Sequence, residues 1–149
     1  MRVRQRCEMQ AINDILVVDD DTALVDFVIG ALREAGYLGC AAYDGESALL
    51  AIETARPALV LLDLHLPGLS GRDVVAQLHH HDLAHVPIVL MTADTVAAAQ
   101  LPIAEFPEYL LKPFELDTLL TCVARYVRPQ RRTPSRTIYP ARRFGTRAQ

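Results

Sequence analysis

Three short runs of uninterrupted apolar residues constrain this chain more than any other feature: Ile15-Leu16-Val17-Val18, Ala58-Leu59-Val60-Leu61-Leu62 and Ile88-Val89-Leu90-Met91. A strand wetted on one face alternates apolar and polar side chains, so runs without alternation belong to strands covered on both faces. A weaker run from Gly39 to Tyr43 and the short Tyr109-Leu110-Leu111 bring the expected strands to five. Between the runs the period becomes helical. Leu24, Phe27, Val28, Ala31, Leu32 and Ala35 share one face behind the N-cap pair Asp21-Thr22, and Gly36 follows where a helix commonly stops. Ala48, Leu49, Ile52 and Ala55 mark a second helix closed by Pro57, and Val74, Val75 and Leu78 a third that starts near Ser70-Gly71. Leu116, Leu119, Leu120, Val123 and Val127 mark a last helix beginning near Glu115. Strands and helices in alternation dictate a parallel sheet with right-handed crossovers and helices on both faces, a doubly wound α/β fold. Between Thr92 and Lys112 a fourth helix should fit, but Pro102 and Pro107 interrupt the segment, so only Thr95 to Gln100 is expected to be helical and the element short or distorted.

A chain of 149 residues is sized for one domain. Charge divides it further. Between Asn13 and Val127 stand 17 of the 18 carboxylates, against Arg33, Arg56, Arg72, Lys112 and Arg125; from Arg128 to Gln149 there are seven arginines and no acid. The expected organisation is an N-terminal extension over residues 1–12, a folded domain over 13–127 and a basic tail over 128–149. Pro129, Pro134 and Pro140 and the lack of apolar periodicity predict a disordered tail. That tail is shorter than the roughly 40 residues an unaided fold needs, so no DNA-binding output domain is expected in the chain. No apolar run approaches the roughly 18 to 20 residues of a membrane span, and the basic Met1-Arg2-Val3-Arg4-Gln5-Arg6 lacks the apolar stretch of a secretory signal. A cytoplasmic protein without a membrane partner is expected, with Met9 an alternative start. Cys7, Cys40 and Cys122 form no C-x-x-C pair and read as ordinary thiols.

In open parallel sheets, functional groups collect beyond the carboxyl ends of the strands. Asp19, Asp20 and Asp21 follow the first strand, Asp63 the third, Thr92 the fourth and Lys112 the fifth. Carboxylates gathered in one place raise each other's pKa values, so a stable cluster needs a cation; oxygen-rich ligation favours Mg²⁺.

Val17-Val18-Asp19-Asp20-Asp21, Leu61-Leu62-Asp63-Leu64-His65-Leu66-Pro67-Gly68, Met91-Thr92-Ala93 and Leu111-Lys112-Pro113-Phe114 resemble the receiver domains of two-component response regulators, over roughly Asp14 to Val127. One such motif is weak; four in order, each after its own strand, are specific. The resemblance, to a single-domain regulator of the chemotaxis type, implies a flavodoxin-like strand order 2-1-3-4-5. It makes Asp63 the phosphoacceptor, with Asp20 and Asp63 binding Mg²⁺ directly, Asp19 through water, and the backbone carbonyl of His65 as a further ligand. Lys112 would neutralise the phosphoryl group, Thr92 would bond it, and Tyr109 would turn inward as Thr92 moves. His65 and Asp94, two places beyond the acceptor and the threonine, would set the phosphoryl lifetime, and Lys112–Pro113 would be cis. The implied partners are a histidine kinase or phosphotransfer protein and an unidentified downstream protein, with a homodimer left open. The chain is not expected to be an enzyme acting on other molecules; as the resemblance implies, it would catalyse its own phosphotransfer and dephosphorylation.

Plainer readings compete at several positions. Asp21 suits the cap of the first helix better than a metal site. His79, His80, His81 and His85 include an i, i+4 pair, His81 and His85, but Pro87 argues for a solvated helix end. Gly68 and Gly71 read as turn residues, Tyr109 also suits packing on the sheet edge, and the arginine-rich tail suits a solvated segment without a specific target. Two other functions remain open. A degenerate receiver would dock partners without phosphorylation, as the unusual Thr92 to Lys112 segment allows. A haloacid-dehalogenase-type enzyme would use Asp19-x-Asp21, although it leaves the Asp63 loop unexplained and Ala23 stands where that motif has threonine or valine.

Overall fold

The computed structural model describes residues 14–100 and 108–129. Its elements alternate as expected: β1 (Asp14–Val18), α1 (Thr22–Glu34), β2 (Leu38–Ala42), α2 (Gly45–Ala55), β3 (Leu59–Asp63), α3 (Gly71–His80), β4 (Ile88–Thr92), α4 (Thr95–Ala99), β5 (Tyr109–Leu111) and α5 (Leu116–Ala124). All pairings are parallel and the order is β2-β1-β3-β4-β5.

The unbroken apolar runs have the cause inferred from them. Along β1, β3 and β4, side chains alternate between two buried layers, so both parities must be apolar. Leu16, Val18, Val60, Leu62 and Leu90 join Ile52 of α2 and Val74 and Leu78 of α3. Ile15, Val17, Leu59, Leu61, Val89 and Met91 join Val25 and Val28 of α1 and Leu119 and Val123 of α5. Truncating one such side chain to alanine is worth about 2–5 kcal/mol, enough to threaten a marginally stable domain.

Helix starts are set by capping. Asp21, Asp44, Ser70 and Asp94 each accept from a backbone N–H in the first turn of α1, α2, α3 and α4, and Ser70 and Asp73 form a reciprocal capping box. α1 ends as expected, with Gly36 at φ 92°. The α4 helix has five residues, in accord with the short element anticipated, while Pro102 and Pro107 lie outside the described residues. α5 ends at Ala124, one turn earlier than its apolar pattern implied; Val127 is nevertheless buried. Cys40 corrects the expectation of three ordinary thiols, being disulfide-bonded, because separation along a sequence carries no information about closeness in space. Cys122 is free and buried, and Cys7 lies outside the described residues. So do the N-terminal extension over 1–12 and the tail from residue 130. Among the described residues, no helix is long and apolar enough to cross a membrane.

Candidate functional site

Parallel strands in register deliver their C-terminal ends to one edge. Val18 pairs with Leu62, Asp63 with Met91 and Thr92 with Leu111, so the residues after β1, β3, β4 and β5 emerge side by side. Asp19, Asp20 and Asp63 converge there, each offering a carboxylate oxygen within 4.8 Å of the others. Asp19 and Asp63 are buried, whereas Asp20 is exposed at the mouth. The Lys112 ammonium donates to Asp19 Oδ2 at 2.5 Å and to Asp63 Oδ2 at 3.2 Å.

One lysine does not balance three carboxylates. Burial, helped by the charge of Asp19, raises the Asp63 carboxyl above its ordinary value, although the His65 N–H at 3.2 Å and Lys112 oppose that rise. Burial alone would lower Lys112, but the hydrogen bonds and charges of Asp19 and Asp63 outweigh it and hold the ammonium above the usual lysine value. A hard divalent cation suits this donor set: oxygens only, carboxylates in excess, and one of them open to solvent.

Thr92 is fully buried, and its Oγ1 accepts the Asp94 N–H at 3.0 Å. The Lys112 N–H donates to the Thr92 carbonyl at 2.8 Å, tying the lysine to the threonine. His65 and Asp94 face each other, 3.5 Å apart, with His65 exposed and Asp94 half-buried. Asp94 also caps α4, and its bond from the Ala97 N–H leads the causes that hold its carboxyl below the ordinary value. Tyr109 stands apart from the cluster with 47% of its surface exposed. Lys112–Pro113 is cis. Asp21 accepts from the Leu24 N–H at 3.1 Å and so caps α1, while Asp19 takes the Asp21 N–H.

The chain from residue 15 to 124 matches the family model described as the response regulator receiver domain. The protein belongs to the response regulator receiver family. With that membership the haloacid-dehalogenase reading falls. Among receiver-containing relatives, the chain is 40% identical over 116 residues to the DNA-binding response regulator MtrA of Mycolicibacterium paratuberculosis, covering 76% of this chain and 51% of MtrA. It thus spans about half the length of the curated relatives it matches. Among solved receivers, TrrA of Thermotoga maritima, determined with Mg²⁺ and BeF, is 31% identical with a TM-score of 0.70, covering 78% of this chain and all of that one. The Vibrio cholerae chemotaxis protein CheY4 is 30% identical at a TM-score of 0.70, again covering 78% of this chain and all of its own.

Two features of this receiver carried no readable sequence signal. At the start of β5, Glu108 accepts from Arg125 and from the Tyr126 hydroxyl at 2.9 Å, tying the strand to the end of α5. Gly71, read as a turn residue, opens α3 and lies against the end of β3: a Cβ there would sit 2.5 Å from the Asp63 carbonyl oxygen. The histidines form no carboxylate–histidine metal group among the described residues; His81 ends α3, 3.9 Å from Glu53.

Proposed function

We propose that the protein is a phosphorylation-dependent signalling switch that accepts a phosphoryl group from a phosphohistidine onto Asp63. The observation that carries this is the buried Asp63 carboxylate held 3.2 Å from Lys112 beside Asp19. One Asp63 oxygen attacks phosphorus, the P–N bond breaks, and its electron pair leaves with the donor imidazole, which takes a proton from solvent. Lys112 then shifts its ammonium onto a phosphoryl oxygen, which relieves the loss of negative charge on Asp63. Asp20, Asp63 and the His65 carbonyl would hold a Mg²⁺ ion directly and Asp19 would hold it through water, and the ion would supply further charge neutralisation.

Thr92 accepts a hydrogen bond from Asp94 and keeps its own hydroxyl proton to donate to a phosphoryl oxygen. That pull draws the β4–α4 loop inward and frees space into which the half-exposed Tyr109 turns, a two-state packing change biased by a local charge event. His65 and Asp94 flank the approach of water to the acyl phosphate. Substituting either is expected to change the dephosphorylation rate more than the phosphorylation rate; equal effects on both count against that role.

The receiver spans 13–127 on this proposal, works in the cytoplasm, takes its phosphoryl group from a histidine kinase or phosphotransfer protein and signals to a protein target, with the chain catalysing only its own phosphotransfer and dephosphorylation. Nothing in the site favours docking without phosphorylation, since acceptor, neighbouring carboxylates and lysine stand together. Gel retardation after exposure to acetyl phosphate with Mg²⁺ tests the proposal. A shifted band in the wild type that is missing from Asp63→Asn is expected; no shift in either reduces the protein to a docking module.

A further inference from the structure

The β2–α2 turn touches both loops that carry the candidate metal ligands. At its start, the Ala42 carbonyl accepts the Asp19 N–H at 3.2 Å. At its end, Gly45 is buried against the β3–α3 loop. A Cβ on Gly45 would lie 2.6 Å from Leu69 Cβ, 2.7 Å from the Leu69 carbonyl oxygen and 3.1 Å from Val74 Cγ2. Two of those atoms are backbone or next to it, so no side-chain rotation relieves the overlap. Residues 64–70 are therefore caught at both ends by glycine contacts, Gly71 against Asp63 and Leu64 at one end and Gly45 against Leu69 at the other. Between those contacts sits His65, whose N–H bonds the acceptor carboxylate.

We infer that Gly45 is a positioning residue for the cation site: the space it leaves lets Leu69 close on α2, and this sets the β3–α3 loop, hence the Asp63 carboxylate and the His65 carbonyl, at the distance a divalent ion needs. The inference rests on the proposed Mg²⁺-dependent reading of the site. Groups that orient metal ligands without touching the metal tune affinity strongly, and a contact this close leaves the loop no slack.

Calorimetric titration of the metal-free 149-residue chain with MgCl₂ tests it, with thermal unfolding followed in parallel. Gly45→Ala is expected to bind Mg²⁺ about tenfold more weakly or worse. With acetyl phosphate as donor, its Mg²⁺ half-saturation should rise while the rate at saturating Mg²⁺ stays within about twofold of wild type. Adding Leu69→Gly, which deletes the atom at 2.6 Å, should recover part of the affinity. Gly30→Ala, on the exposed face of α1 with nothing within 4 Å of the new Cβ, should bind as wild type does. A folded Gly45→Ala with wild-type Mg²⁺ affinity, or one that loses maximal rate at unchanged half-saturation, overturns the inference. If Gly45→Ala does not fold, Leu69→Gly alone decides, because it removes the other side of the contact: weaker Mg²⁺ binding supports the inference and unchanged binding overturns it. A wild-type protein that binds no Mg²⁺ overturns the reading beneath as well, and is distinguished by failing before any substitution is made.

Discussion

The two ends of β5 are tied to the rest of the domain by polar clusters of opposite design. Behind the strand, Lys112 meets Asp19 and Asp63, with Asp20 nearby, so carboxylates outnumber the cation and one lies open to solvent. Ahead of it, one carboxylate, Glu108, meets Arg125 and Tyr126 and is matched in charge. Cys122 belongs to the same cluster: burial, followed by the charge and hydrogen bonding of Glu108, pushes its thiol up to about 12. A balanced cluster can only hold β5 to α5. An unbalanced one costs stability and has capacity left for a cation and an incoming phosphoryl group, which is what a site requires and a brace does not.

The largest effect that would sharpen this contrast is at Asp63. Asp63→Asn should abolish phosphoryl acceptance yet raise the thermal stability of the metal-free protein near pH 7. The sign follows from linkage: a carboxyl raised in the folded state binds its proton more tightly there, so folding carries no penalty below the ordinary value of 3.8 and pays one once Asp63 ionises. The gain in the asparagine variant should therefore fade as pH falls below that value; a loss of stability at neutral pH would break the contrast. Next, Lys112→Met should slow acceptance from acetyl phosphate about a hundredfold, the usual cost of removing a donor aimed at developing charge. Glu108→Gln should do the reverse, lowering stability by about 2 kcal/mol in denaturant titration while acceptance stays near wild type. Loss of acceptance in a stable Glu108→Gln protein would show that the two ends are not separate. Smallest is Tyr126→Phe, at about 1 kcal/mol for one hydrogen bond. Burial, then Glu108, pushes the Tyr126 phenol up to about 12, so its stabilisation is complete below the ordinary value of 10 and is lost as pH rises through about 12. Ultraviolet titration should show a late-ionising tyrosine in the wild type that disappears in the variant.

The contrast also separates what sequence could and could not reveal. Strands buried on both faces leave an apolar run, and an acid at the end of such a run is placed by the fold, so Asp19, Asp20 and Asp63 were legible in the sequence. Thr92 was legible for the same reason, as the last residue of β4. Lys112, by contrast, follows the half-exposed β5 and was legible from the short Tyr109-Leu110-Leu111 run and the Leu111-Lys112-Pro113-Phe114 motif. Glu108 and Arg125 were not, because a charged pair 17 positions apart on two different elements has no period and no motif. Nor was the role of Gly45, whose importance lies in an atom it lacks and in a neighbour, Leu69, that only folding brings to it. The early end of α5 escaped for a related reason: Val127 is buried like a helical position, and burial is what periodicity detects.

The central claim is that Asp63, among the clustered carboxylates, is the atom acceptor for phosphorus. Exposing the protein to acetyl phosphate and Mg²⁺, reducing it with borohydride and mapping the peptides by mass spectrometry reads this directly, since reduction turns an aspartyl phosphate into homoserine. Homoserine at position 63, and at no other aspartate, is the predicted result. Homoserine at Asp19 or Asp20 with Asp63 unchanged would contradict the account.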